Sequence, residues 1–476
     1  MDRIFARLLG GVLVLVVVLS IPPALPLSPA QLLISAALAD DDDGGDDDGD
    51  DDDDGGSRGE NGGTRRSGER AAPSRSGFSL FPFLQPARPQ AARRTAPAIP
   101  DRVSNEIIAA GLDDAAVTQL TVEGYVVAER QRLGLLSAEI IRLVVPRGTA
   151  LEAARQRLAT VAPTALIDFN HYYRPEQDSA VADCGGQSCA LVREMIGWPA
   201  DPAGLVARCG SLPTIGLIDT AINPAHPSLG DARLEVIRIS DDALPQSGRQ
   251  HGTAVAALLM GAAASRTPGL LPSSEVIAID AFRRLGGSVD VASTFDLVRA
   301  LDALSSRNVR VINLSLAGPD NALLRDTVRT IIGRGAILIA AVGNAGPRAK
   351  PLYPAGYEGV IAVTAVDRGR NPYRRANQGT HVDIAAPGVN VWTAASISGA
   401  RPKSGTSFAA PFVSAAAAMM LAQRPELTSG ELTEALSRMV QDIGSPGKDS
   451  VFGWGLLDAR QLCAGSGSPP PGGLGP

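Results

Sequence analysis

The stretch Gly405-Thr406-Ser407-Phe408-Ala409-Ala410-Pro411 decides how this chain is read, because it sets a hydroxyl at the mouth of an almost wholly apolar segment. Phe412, Val413 and residues 415–421 continue it with scarcely a polar side chain. That is the composition of a helix buried on every side. Ser407 falls in the first turn of this expected helix, where unpaired N–H groups and the positive end of the dipole favour a developing negative charge. Pro411 fits a helix only near its start, unless it kinks the helix. Taken alone, a serine before a helix is an N-cap, and its hydroxyl is a poor nucleophile until a base removes the proton.

Two further stretches change that reading. Residues 212–218 read as a short buried strand ending in Asp219-Thr220-Ala221, and His251-Gly252-Thr253-Ala254-Val255-Ala256 opens a second helix of small residues. Singly, Asp219 is a strand-end turn aspartate and His251 a helix-capping histidine. Together with Ser407 they supply an acid, a base and a nucleophile in the chain order Asp, His, Ser. His226 and His381 lie in polar loops of surface character and His171 lies further N-terminal, so none of them is read as catalytic.

These three motifs resemble the catalytic motifs of the subtilisin-like serine proteases, the subtilases, in order and spacing. A fourth segment, Ala340-Ala341-Val342-Gly343-Asn344-Ala345-Gly346, resembles the family's oxyanion segment and implies Asn344 as the side-chain oxyanion donor. Val311-Ile312-Asn313-Leu314-Ser315-Leu316, Tyr353-Pro354-Ala355, Ala385-Ala386-Pro387-Gly388 and Gly453-Trp454-Gly455-Leu456 agree with the pattern, so the likeness spans about residues 215–459. It implies that Ser315-Leu316-Ala317 and Ala341-Val342-Gly343 line the cleft and pair with the backbone of a substrate. Two positions depart from the family: Ala221 and Ala317 stand where glycine is usual. If either position needs a positive φ or a close backbone approach, its methyl narrows the cleft, which bears on substrate preference.

Composition bounds the rest. The 476 residues carry a net charge of -6, but twelve aspartates lie between residues 40 and 54, and the remainder nets +6. That balance, without an aromatic-plus-basic motif, gives no argument for nucleic acid. Cys184, Cys189, Cys209 and Cys463 are an even set compatible with two disulfides in an exported protein, with three connectivities open. They form no zinc-type cluster, and no metal ligand set is assigned. The chemistry requires no cofactor; a structural calcium ion is left unlocated.

The N-terminal fifth reads as unfolded apart from its leader. Arg3 and Arg7 precede an uncharged run over residues 8–21, and Ala37-Leu38-Ala39 precedes Asp40. Positive flank, short apolar core and A-x-A site make residues 1–39 a secretory signal, with an uncleaved membrane anchor as the alternative. Export is the expected localisation, to the medium, periplasm or cell surface. Residues 40–101, Asp/Gly-rich and then Arg/Gly/Ser/Pro-rich, cannot bury enough apolar surface to offset their entropy. Carboxylates attract hard cations, but the aspartate spacing matches no ordered calcium loop, so a solvated charge run is preferred.

Order is expected again over residues 102–175, with strands at 124–129 and 139–145 and a helix at 150–158. Its element order is similar to the small α/β propeptides that precede subtilase catalytic domains, which implies an inhibitory tail and self-cleavage between about residues 172 and 189. A stably attached accessory domain is the alternative. From 190 to 464 the chain alternates apolar runs of strand length (276–281, 309–314, 336–342, 360–365) with helical patterns (294–305, 323–333, 431–440). The fold class is therefore α/β: a doubly wound, mostly parallel sheet with helices on both faces, whose ligand crevice lies at the strand C-termini. Residues 465–476 form a loose Gly/Ser/Pro tail. The expected function is a secreted serine endopeptidase made as a self-processing zymogen, acting on protein or peptide substrates and held by its own propeptide. The rival is a catalytically silent pseudoprotease serving as a surface binding protein.

Overall fold

The computed structural model describes residues 100–176, 192–199, 204 and 209–463, except 231, 242 and 288. The signal-like segment, the aspartate run, the basic linker, Cys184, Cys189 and the C-terminal tail lie outside the described residues.

Residues 102–175 form β1 (Arg102–Ala110), α1 (Asp114–Val122), β2 (Val126–Leu133), β3 (Ala138–Val144), α2 (Leu151–Val161) and β4 (Leu166–Pro175). These four strands run in the order β2-β3-β1-β4, antiparallel, over a small core that includes Ile107, Leu120, Ile141, Leu158 and Phe169. The next part comprises β5 (Ile215–Asp219), β6 (Arg233–Arg238), α3 (Gln250–Met260), β7 (Glu275–Asp280), β8 (Phe282–Leu285), β9 (Val289–Ser293), α4 (Thr294–Ser306), β10 (Val311–Leu314) and β11 (Leu316–Ala317). It continues through α5 (Ala322–Gly333), β12 (Ile337–Ala341), β13 (Ile361–Val366), β14 (Ile384–Pro387), β15 (Val391–Ala394) and β16 (Ala400–Lys403). It ends with α6 (Thr406–Gln423), α7 (Ser429–Ser437), β17 (Val440–Gln441) and β18 (Leu456–Leu457).

The central sheet has the order β17-β18-β14-β13-β12-β10-β5-β7-β6, parallel throughout except for β17. β5, β10, β12 and β13 are buried at every residue, as their mostly apolar runs require of strands covered on both faces. Gly216 and Ile312 are register partners, and a Cβ on Gly216 would meet Leu304 of α4. Asn313, one residue on and so on the opposite face, accepts a hydrogen bond from Ser414 of α6. Helices α4 and α6 thus cover opposite faces. Helix α6, long and apolar enough to cross a membrane, is instead the buried core helix of this unit.

Two differences from expectation have clear causes. Pro411 sits at the sixth position of α6, not at its start, and the missing N–H leaves the Ser407 carbonyl without its helical donor. Ser315 Oγ donates to that carbonyl at 3.0 Å. The N-terminal sheet also does not stop at residue 175: β4 pairs with β9 and β11, so strands of the following region complete its sheet.

Candidate active site

Asp219 ends β5 and His251 lies in the first turn of α3. His251 Nδ1 is 2.6 Å from Asp219 Oδ1, and both side chains are 1 % exposed. The approach depends on Gly252: a Cβ there would lie 2.3 Å from the Thr220 carbonyl oxygen. Gly252 N–H donates to Thr220 Oγ1 at 2.9 Å, and Thr220 N–H donates to Asp219 Oδ1 at 2.7 Å. The carboxylate can only accept from the ring, so Nδ1 carries the hydrogen and Nε2 is left as the basic nitrogen. Nε2 has no hydrogen-bond partner among the described residues.

Ser407 is fully buried in the first turn of α6. Gly405, with φ 150°, brings the chain into that turn through a conformation that side-chain-bearing residues rarely adopt. The His251 ring packs 5.5 Å, centroid to centroid, from the ring of Phe408, the residue after Ser407. The Ser407 hydroxyl does not bond to His251; it donates to the Ser315 carbonyl at 3.0 Å and accepts Glu176 N–H at 3.2 Å. Proton transfer to Nε2 therefore needs the hydroxyl to give up its bond to the Ser315 carbonyl.

Behind Ser407 runs a buried polar chain. Ser414 Oγ donates to Asn313 Oδ1 at 2.9 Å, Asn313 Nδ2 to Ser315 Oγ at 2.8 Å, and Ser315 Oγ to the Ser407 carbonyl. Asn344 follows β12, with its Oδ1 fixed by Thr406 N–H at 3.2 Å and Thr406 Oγ1 at 3.0 Å. That leaves Nδ2 as its buried donor, without a partner among the described residues.

The segments expected to line the cleft are partly paired already. Leu316 pairs antiparallel with Pro175 and Ala317 with Arg174, while Glu176 N–H reaches the Ser315 carbonyl at 3.5 Å. Ala341 is the last residue of β12, and Val342 N–H donates to the Val363 carbonyl at 3.0 Å. Gly343, with φ 100°, turns the chain toward Asn344. Ala221 and Ala317 both have negative φ, so the methyls that replace glycine introduce no backbone strain, and Ala317 accepts a paired strand.

Other histidines are placed by packing. His226, expected at the surface, is buried; its Nδ1 accepts Ser228 N–H at 3.1 Å and its Nε2 faces the Gly399 carbonyl at 3.2 Å. His171 is buried in β4 with Nδ1 3.0 Å from Asn321 Nδ2. Cys209 is bonded to Cys463, one of the pairings left open by the sequence. No group of three or more potential metal ligands occurs among the described residues. Sequence reasoning missed Glu176 and the supporting roles of Thr220, Ser315 Oγ and Thr406. Thr220 and Thr406 carried a signal, their places beside Asp219 and Ser407.

A carboxylate on a strand end, an imidazole bonded to it and a hydroxyl at a helix start constitute the parts of a serine hydrolase. A model of the subtilase family matches residues 210–455. Subtilisin DY of Bacillus licheniformis is 30% identical over 254 residues, covering 52% of this chain and 89% of that relative. Subtilisin Savinase of Lederbergia lenta is 31% identical over 255 residues, covering 53% and 90%. Fervidolysin from Fervidobacterium pennivorans, described as a keratinolytic enzyme related to subtilisin, shares the fold with a TM-score of 0.63 at 19% identity, over 76% of this chain and 61% of that one. The chain belongs to the subtilase family and is a subtilisin-like serine endopeptidase.

Proposed function

We propose that the chain hydrolyses peptide bonds through Ser407, His251 and Asp219, and that it is exported as a zymogen held by its own residues 102–176. Ser407 Oγ attacks the carbonyl carbon while His251 Nε2 takes its proton and later gives it to the leaving amine. Asp219 holds the ring tautomer and stabilises the imidazolium. Asn344 Nδ2 and the Ser407 N–H, in the open first turn of α6, donate to the oxyanion. Ser315-Leu316-Ala317 on one side and Ala341-Val342-Gly343 on the other hold the substrate backbone, which gives affinity with little sequence choice. The step needs no cofactor.

The observation that carries this reading is the 2.6 Å contact between His251 Nδ1 and Asp219, which leaves Nε2 without a partner among the described residues, in a ring packed on Phe408 of α6. The zymogen reading rests on β4, which runs along β11 and ends with Glu176 N–H on Ser407 Oγ. Docking of residues 102–176 is specific: Asp168 Oδ2 accepts the Ala322 N–H that opens α5, and Asn170 Oδ1 accepts Phe295 N–H in the first turn of α4. Both fill helix N-terminal donors that are otherwise unpaired. Export rests on the leader-like residues 1–39 and on the disulfide between Cys209 and Cys463.

Ser407→Ala is the direct test. It should lower kcat on a denatured protein by about 10⁶ and abolish self-processing. An unchanged processing pattern contradicts the zymogen reading, and retained hydrolysis contradicts the assignment of Ser407.

A further inference from the structure

The end of β4 lies in the cleft in a defined register. Arg174 and Pro175 pair with Ala317 and Leu316, Glu176 N–H points to the Ser315 carbonyl, and the same N–H donates to Ser407 Oγ at 3.2 Å. Glu176 is therefore the residue whose backbone meets the hydroxyl, and its carbonyl carbon follows two bonds beyond that nitrogen. The side chain is held as well: Glu176 Oε2 accepts the Asn344 N–H at 2.6 Å. Asn344 therefore meets the tail through its backbone while its Nδ2 stays unpaired.

We propose that Glu176 is the acyl-side residue of the bond this enzyme cuts in itself, and that the Asn344 N–H selects a side chain bearing an acceptor oxygen at that subsite. The proposal rests on the self-processing reading above and adds the bond and the side-chain preference. Ser407 Oγ forms a bond to the Glu176 carbonyl carbon, and the C–N bond to Gln177 breaks. The hydroxyl proton passes through His251 Nε2 to the departing nitrogen. Water then adds to the ester carbon, the bond to Oγ breaks, and the water proton returns through His251 to Ser407. The products are a C-terminal carboxylate at Glu176 and a free amine at Gln177.

Charge makes the preference depend on pH. Burial pushes the Glu176 carboxyl up to about 7, against the pull of the Asn344 N–H, His251, Arg375 and Arg174. Seated, the carboxyl keeps its proton to higher pH than the free group at 4.5. The gain from seating the neutral acid is therefore complete below about 4.5 and is lost as pH rises toward about 7. A glutamine at the same place offers an uncharged acceptor oxygen at every pH.

N-terminal sequencing and intact mass of the full chain, wild type and Ser407→Ala, test the assignment. The wild-type product should begin at Gln177 and the Ser407→Ala chain should stay uncut. A wild-type product starting elsewhere, with Ser407→Ala uncut, overturns the assignment of Glu176 alone. Cutting of the Ser407→Ala chain overturns the self-processing reading beneath it. Peptides spanning Tyr172 to Glu176 and a few following residues, given to the processed enzyme, avoid any folding effect of substitution. Replacing their Glu176 by Gln should keep cleavage after that residue, and replacing it by Lys should lower kcat/KM at least tenfold. The Gln-to-Glu ratio of kcat/KM should rise by about tenfold per pH unit toward pH 7 and then level off. Equal rates for Lys and Glu, or a ratio flat with pH, overturn the selection by Asn344.

Discussion

Ser407 is bound on three sides in the uncut chain: the Ser315 carbonyl accepts from its hydroxyl, Ser315 Oγ donates to its carbonyl, and Glu176 N–H donates to its oxygen. Asn344 is oriented in the same way by Thr406, whose N–H and hydroxyl occupy Oδ1 and leave Nδ2 free to donate. A donor fixed before the reaction costs nothing to orient as charge develops. Asn344→Leu should therefore lower kcat by 10²- to 10³-fold, about 3 to 4 kcal/mol of transition-state stabilisation, with KM little changed. Steady-state kinetics on a peptide substrate check this. A change confined to KM would place Asn344 in ground-state binding.

At the scale of elements, α3 and α6 deliver the site because small residues let them close on the sheet. In α3 the demand is sharpest at Gly252, whose hydrogen faces the Thr220 carbonyl. Gly252→Ala should push α3 from the end of β5, lengthen the His251–Asp219 contact and cost about 1 to 3 kcal/mol of stability. Circular-dichroism melting together with kcat measures both; a variant of native stability and activity would show that the approach is not needed. The same small-residue runs made this part of the fold legible in the sequence. Strand β5 and helices α3, α4, α5 and α6 fall within a few residues of where apolar runs and helical spacing predict them. Thr428 and Glu431 form the capping box their spacing predicts at α7.

β1, α1 and β4 were not legible. β4 carries Asp168, Asn170 and His171, which favour loops locally, and each has a side-chain partner more than a hundred residues away, at the start of α4 or α5. His226 was misjudged for the same reason, since its polar surroundings are satisfied by backbone inside the protein. Glu176 left no sequence signal, because only the pairing of β4 with β11 brings it to Ser407.

Across the whole molecule, the chain is tied near its end to the start of the subtilase region by Cys209–Cys463, a separation of 254 residues. Closing so long a loop restricts the unfolded chain, a contribution of about 2 to 5 kcal/mol. Cys463→Ser should lower the melting temperature by that equivalent without altering KM, as read by calorimetry and kinetics; an unchanged melting point would remove the bond from the stability account. The larger organisation sets a small antiparallel sheet, completed by β8, β9 and β11, against the cleft of the parallel sheet. The central claim is that Ser407 is the nucleophile, activated by His251. Treating the processed protein with a serine-directed phosphonyl probe and mapping the adduct by mass spectrometry tests it most directly. A single adduct on Ser407, lost in His251→Ala, is the predicted result; no adduct, or one on another residue, would contradict the account.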